Sequence, residues 1–347
     1  MTLGPLMIDL KGTSLDADER RWLESPLICG VILFTRNFES RAQLAELVAD
    51  IHAVRQPPLL VAVDHEGGRV QRFRDGFSPL PPLRMLGHLY DEDSGAALRA
   101  ATHFGWLMAA ELRSVGIDVS FTPVVERDLG LSAVIGDRAL HPDAHVVARL
   151  ALRFASGARR AGMAVTAKHF PTHAGARSDS HTEFAVDRRG LAELEDDLYP
   201  YRRLVDAGLQ AVMMAHVSFP AVDPAPASLS RWWITEQLRG ALGFSGAVIS
   251  DDLSMVGAAV AGPVPERVRR ALDAGCDMVL LCNAPGEVPA VLEALTGYLN
   301  PSGQLRLARL HGRGGDSWQG LHESAEWAGA SATLAALSAR PELTLRG

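Results

Sequence analysis

The stretch AVISDDLSM, residues 247–255, opens on apolar residues and ends with two adjacent carboxylates, Asp251 and Asp252. A short, near-continuous apolar run of this kind marks a strand covered on both faces, as in a parallel sheet flanked by helices. Working outward from it, comparable runs occur at residues 6–10, 30–34, 59–64, 119–124, 164–170, 211–217 and 278–283. Between them lie amphipathic segments of helical length, for example 40–54, 96–115, 145–161, 191–207 and 234–242. Eight strand-helix units close most naturally into a (β/α)8 TIM barrel of the α/β class. A doubly wound open sheet shows the same alternation, and it is the count that favours the barrel.

No linker or shift in composition divides the chain, so one domain is expected, with the barrel over residues 1–300. Residues 301–347 carry a Gly-rich turn at 312–316 and then a mixed Trp, Leu and Ala pattern, which reads as a helical extension packed on the barrel's outside. With 347 residues, 47% of them hydrophobic, the chain can bury a large core. A formal charge of −7 argues against nucleic acid or an anionic membrane as partner and for a small ligand. Cys29, Cys276 and Cys282 form no CxxC pair and fit reduced, buried thiols. The N-terminal MTLGPLMIDL has no basic leader, and no stretch stays apolar for the roughly 20 residues of a bilayer span, so a cytoplasmic location is expected; no residue pattern bears on oligomeric state, for which a monomer is the expectation.

Active sites of α/β barrels are built at the carboxyl ends of the strands, so the residues at the end of each apolar run carry the information. The runs lead into Asp9; Arg36 and Asn37; Asp64, His65 and Glu66; Glu126, Arg127 and Asp128; Lys168 and His169; His216; Asp251 and Asp252; and Asn283. Any one of these is an ordinary flanking charge, but scattered solvated charges have no reason to converge on one rim. Three segments carry most of the signal. AVDHEGGRVQRF, residues 62–73, sets an acid at a strand end before a GG pair, which lets backbone approach a ligand closely, and then Arg69 and Arg72. In AVISDDLSM the strand alternates its faces, so that if Asp251 points into the pocket, Asp252 points elsewhere unless the loop has begun. In KHFPTHAGARSDSH, residues 168–181, three histidines, a lysine and an aspartate admit a metal site, a structural loop, or a mobile catalytic loop in which Asp179 orients His181. The helical HExxH pattern is absent and a lysine inside the cluster repels a cation, so no metal and no cofactor are expected.

These segments, with ILFTRNF (32–38), FTPVVERDLGLSAVIGDRA (121–139), MMAHVSFPAVDPAPASLSR (213–231), LGFSGAVISDDLSMVGA (242–258) and LDAGCDMVLLCN (272–283), run in order along nearly the whole chain. In them the chain resembles glycoside hydrolase family 3, specifically its single-domain β-N-acetylglucosaminidases of peptidoglycan recycling. The resemblance implies that Asp251 is the nucleophile and His181 the acid/base, with Asp179 as its partner. It also implies that Asp64, Arg72, Arg138, Lys168 and His169 hold the N-acetylglucosamine hydroxyls and acetamido group. The implied reaction is retaining exo-hydrolysis of N-acetylglucosaminyl-1,6-anhydro-N-acetylmuramyl peptides through a covalent glycosyl-enzyme. The family usually reads KHFPGHG where this chain has Thr172 and Ala174, with a glycine displaced to Gly175. If those positions use positive φ, each added Cβ costs about 1 kcal/mol and stiffens the loop. A glycoside phosphorylase and a non-catalytic amino-sugar-binding protein stay open as alternatives, with a metal-dependent barrel hydrolase behind them.

Overall fold

The structure, a computed structural model, describes residues 3–132, 134–176 and 184–340. Eight strands, β1 (Leu6–Asp9), β2 (Ile28–Leu33), β3 (Leu60–Val63), β4 (Val119–Ser120), β5 (Ala164–Phe170), β6 (Ala211–Met214), β7 (Ala247–Asp252) and β8 (Met278–Leu281), form a closed barrel in chain order. Every neighbouring pair is parallel, and β1 pairs with β8 to complete the ring. The expected α/β barrel is therefore the fold. Strand β4 is shorter than residues 119–124 suggested, because Pro123 has no N–H to donate; Val124 rejoins the sheet by a single bridge to Lys168.

Alternation along the strands sorts the apolar residues into two packed sets. Met7, Leu60, Ala62, Val119, Phe121, Met213, Ala247, Ile249, Met278 and Leu280 fill the barrel's interior. Their chain neighbours Leu6, Ile8, Val61, Val63, Val212, Val248, Val279 and Leu281 pack outward in the larger core shared with the helices. That outer layer includes α1 (Ala17–Leu23), α2 (Arg41–Ala53), α3 (Arg84–Glu92), α4 (Ser94–Ser114), α5 (Ala144–Arg160) and α6 (Glu195–Asp206). A π-helical segment, Trp232–Ala241, follows β6 and its loop, and α7 (Val264–Ala274) and α8 (Val288–Ala294) complete the ring. Side-chain caps define several helix starts: Ser40 accepts from Gln43 N, Asp93 from Ala96 N, and Asp143 from His145 N.

Beyond the ring lie α9 (Pro301–Ala308), α10 (Trp318–Glu323) and α11 (Ala325–Ser338). Leu307 and Leu310 pack with Leu3 in the interior set. Helix α11 lies on α4, where the Trp327 indole donates to Glu111 Oε1 at 2.8 Å. None of the described helices is long and apolar enough to cross a membrane.

Candidate active site

The parity that fills the barrel with Ala62, Thr166 and Ile249 carries on to the next inward positions, Asp64, Lys168 and Asp251, where the strands end. Two irregularities bring in their neighbours. The pairing of β5 with β6 slips between Lys168 and Phe170, and that of β7 with β8 slips between Ile249 and Asp252. Such bulges re-aim side chains. Accordingly His169 lines the same cavity as Lys168, and Asp252 the same cavity as Asp251.

That cavity, of about 620 Å³, brings together Asp64, Arg72, Arg138, Lys168, His169 and Asp251, all named from the sequence. Glu66, Arg69, His173, Asp252, Asn283 and Phe34 also line it. Asp179 and His181 lie outside the described residues. The other strand-end groups serve the frame. His65 turns away from the cavity onto Phe73 and Phe77, where burial, then Arg74 and Arg72, push its imidazole down to about 3. Asp128 pairs with Arg84, and Arg127 with Asp196 at 3.4 Å. His216 sits between Ser228 Oγ, 2.6 Å from Nδ1, and the carbonyl of Asp252, 2.9 Å from Nε2, and so buttresses the end of β7.

The cavity wall is a compact set of ion pairs. Lys168 Nζ donates to Asp64 Oδ1 at 2.7 Å and lies 2.6 Å from Glu66 Oε1, while Arg138 grips both Glu66 oxygens at 2.7 and 2.8 Å. Burial penalises the Glu66 anion, but Arg138 and Lys168 outweigh that and hold its carboxyl well below the usual range. The same anion raises the already high pKa of Arg138, against burial. Arg72 approaches Asp64 Oδ2 at 3.7 Å and stands 5.4 Å from the Phe34 ring centre, which Arg36 covers from 4.7 Å. Alternating fixed acceptors and donors of this sort suit the vicinal hydroxyls and amide of a sugar. Glu66 shares the inward parity of Asp64, a signal present in the sequence but not taken from it.

At the tip of β7, Asp251 Oδ1 accepts the amide of Asp252 at 2.8 Å. Asp252 is held by Ser254 N and Oγ, at 2.9 and 2.7 Å, and by Cys282 N at 3.0 Å. Burial drives its carboxyl up to about 6, the hydrogen bonds oppose the shift, and the Asp251 charge adds to it. Adjacent carboxyls with different surroundings are suited to different tasks.

Two expectations are corrected here. Gly67 and Gly68 do have positive φ, at +96° and +54°, but their missing Cβ atoms make room for Pro81 and Pro82, not for a ligand. Nor do Thr172 and Ala174 occupy left-handed backbone: among the described residues Asn283 alone does so without being glycine. The Cβ penalty therefore does not arise. Thr172 is buried, and its hydroxyl donates to Glu126.

The family model described as "Glycosyl hydrolase family 3 N terminal domain" matches residues 6–311. A protein named beta-hexosaminidase from Thioalkalivibrio sulfidiphilus is 52% identical over 345 residues, covering 99% of each chain. Another of that name from Nitrosospira multiformis is 51% identical over 342 residues, covering 98% of each. Among solved structures, NagZ from Neisseria gonorrhoeae in complex with N-trifluoroacetyl-D-glucosamine superposes with a TM-score of 0.93 at 42% identity, covering 98% of this chain and 99% of that one.

Proposed function

Because the chain belongs to glycoside hydrolase family 3 and is of NagZ type, we propose that it is a retaining exo-β-N-acetylglucosaminidase of cell-wall recycling. Its substrate is the N-acetylglucosaminyl-1,6-anhydro-N-acetylmuramyl unit with its peptide, processed in the cytoplasm by a monomer. The residues up to about 300 are the catalytic barrel, and those beyond form an extension on it.

In this proposal Asp251 attacks the anomeric carbon while protonated His181, oriented by Asp179, gives its proton to the leaving oxygen. Water then releases the sugar with His181 as base, so the anomeric configuration is retained. Asp64, Arg72, Arg138, Lys168 and His169 hold the sugar's hydroxyls and acetamido group. The observation that carries the proposal is the meeting of Asp251 with these five side chains around one cavity of about 620 Å³.

The test is turnover of an aryl N-acetyl-β-D-glucosaminide beside the plain β-glucoside, in wild type and Asp251→Ala. A strong preference for the acetamido sugar is expected, with a loss of at least roughly a thousand-fold in kcat for the variant. A slow fluorinated donor should label Asp251 in the wild type. Label on another carboxylate, or equal use of both sugars, refutes the assignment.

A further inference from the structure

Glu126 is 2% exposed and does not line the cavity, yet four donors converge on its carboxylate. Oε1 receives the backbone N–H of His169 and faces Nδ1 of the same residue, each at 3.1 Å. Oε2 receives the Thr172 hydroxyl and the His173 N–H, each at 2.8 Å. An ionised carboxylate has about four lone-pair sites, and all are taken. Both imidazoles next to these donors, those of His169 and His173, do line the cavity.

We infer that Glu126 is a positioning residue for the hydrolysis reaction: it fixes the His169 imidazole as the Nδ1–H form and ties His173 and Thr172 into the same wall. The inference rests on the glycosidase assignment above. A carboxylate only accepts, so the proton between it and the ring belongs to Nδ1, and Nε2 is left for the ligand. Burial opposes ionisation of Glu126, but His169, His173 and the hydrogen bonds hold its carboxyl down to about 2, so it is an anion throughout the working pH range. Thr172 extends the arrangement. Its hydroxyl proton lies between Glu126 Oε2 at 2.8 Å and Asp197 Oδ1 at 3.2 Å, and its oxygen accepts the Ala174 N–H at 3.0 Å. The other Asp197 oxygen is held by Arg189 at 2.8 Å. Thr172 thus joins the end of β5 to the start of α6 through one hydroxyl, a link that the glycine usual in this family cannot make.

The experiment compares wild type, Glu126→Gln, Thr172→Val and Thr172→Ser in two readouts. One is KM and kcat on 4-nitrophenyl N-acetyl-β-D-glucosaminide; the other is the tautomer of His169 from ring ¹⁵N shifts, assigned with His169→Gln. The wild-type ring should carry its proton on Nδ1. Glu126→Gln, whose amide both donates and accepts, should lose that signature and raise KM by about ten-fold or more, with a smaller fall in kcat. Thr172→Val should raise KM about three-fold, and Thr172→Ser should restore it. A wild-type His169 protonated on Nε2, or a folded Glu126→Gln with unchanged KM or unchanged tautomer, overturns the inference. Should Glu126→Gln fail to fold, the Thr172 pair decides: equal KM for Val and Ser overturns it. A wild type inert on the substrate defeats the glycosidase assignment alone, because the tautomer comparison still tests the placement of His169 by Glu126.

Discussion

Glu66 holds two cations that are themselves almost fully enclosed. Lys168 is 2% exposed and keeps a second partner in Asp64, whereas the only acidic partner within ion-pair distance of Arg138 among the described residues is Glu66. Neutralising Glu66 therefore leaves a guanidinium that is only about a tenth exposed without its counter-charge, the costly way to break a largely enclosed ion pair. Glu66→Gln is expected to lower the unfolding free energy by about 3 kcal/mol, measured by urea denaturation at neutral pH. It should also raise KM, because Lys168 and Arg138 lose the anchor that aims them. A stability equal to wild type would show that water reaches Arg138 freely.

At the scale of the element, α4 and α5 meet through glycines. A Cβ on Gly105 would come within 2.0 Å of the Phe154 carbonyl oxygen, and one on Gly157 within 2.1 Å of that of Thr102. The two helices thus approach backbone to backbone, and α4 in turn carries α11. Gly157→Ala should cost about 2 kcal/mol through overpacking, seen as a lower Tm. Gly329→Ala, on α11 with nothing within 4 Å of its Cβ, should instead be neutral or stabilising by up to about 1 kcal/mol. The periodicity that marked these segments as helices is local and was legible. Their ends were set by caps such as Asp93 and Asp143, within two residues of the expected bounds for residues 96–115 and 145–161. The short hairpin His65–Gly67 with Val70–Gln71 carries no such period and went unseen.

For the whole molecule, buried carboxyls set the response to acid. Asp118, Glu66 and Glu126 are held below their ordinary values: burial opposes ionisation in each, but His311 and His52 at Asp118, Arg138 and Lys168 at Glu66, and His169 at Glu126 overcome it. Since the unfolded chain takes up these protons first, their contribution is complete above the ordinary carboxyl range and is lost as pH falls below it. Asp252 works the other way. Its folded carboxyl titrates at about 6 against an ordinary 3.8, so the folded state holds the extra proton and stability declines as pH rises between those values. Denaturant midpoints should therefore collapse below about pH 4, with a shallow decline from there towards 6 that Asp252→Asn lessens, the remainder coming from Asp9 and Asp197, whose carboxyls burial also raises. A slope unchanged in Asp252→Asn would assign the decline wholly to other groups.

What the chain determined by itself was the alternation of apolar runs with helical segments, and through it the barrel. Strand parity then aims Asp64, Lys168 and Asp251 at one space. Both are consequences of local geometry, since a strand has a period of two wherever it lies. Only the closed structure decided that Arg138 reaches Glu66, that His65 turns into the aromatic packing, that two glycines serve Pro81 and Pro82, and that Glu126 stands behind His169. These depend on which loops the ring brings side by side. A charge finds its partner by distance after folding, and distance across a barrel is not written in spacing along the chain.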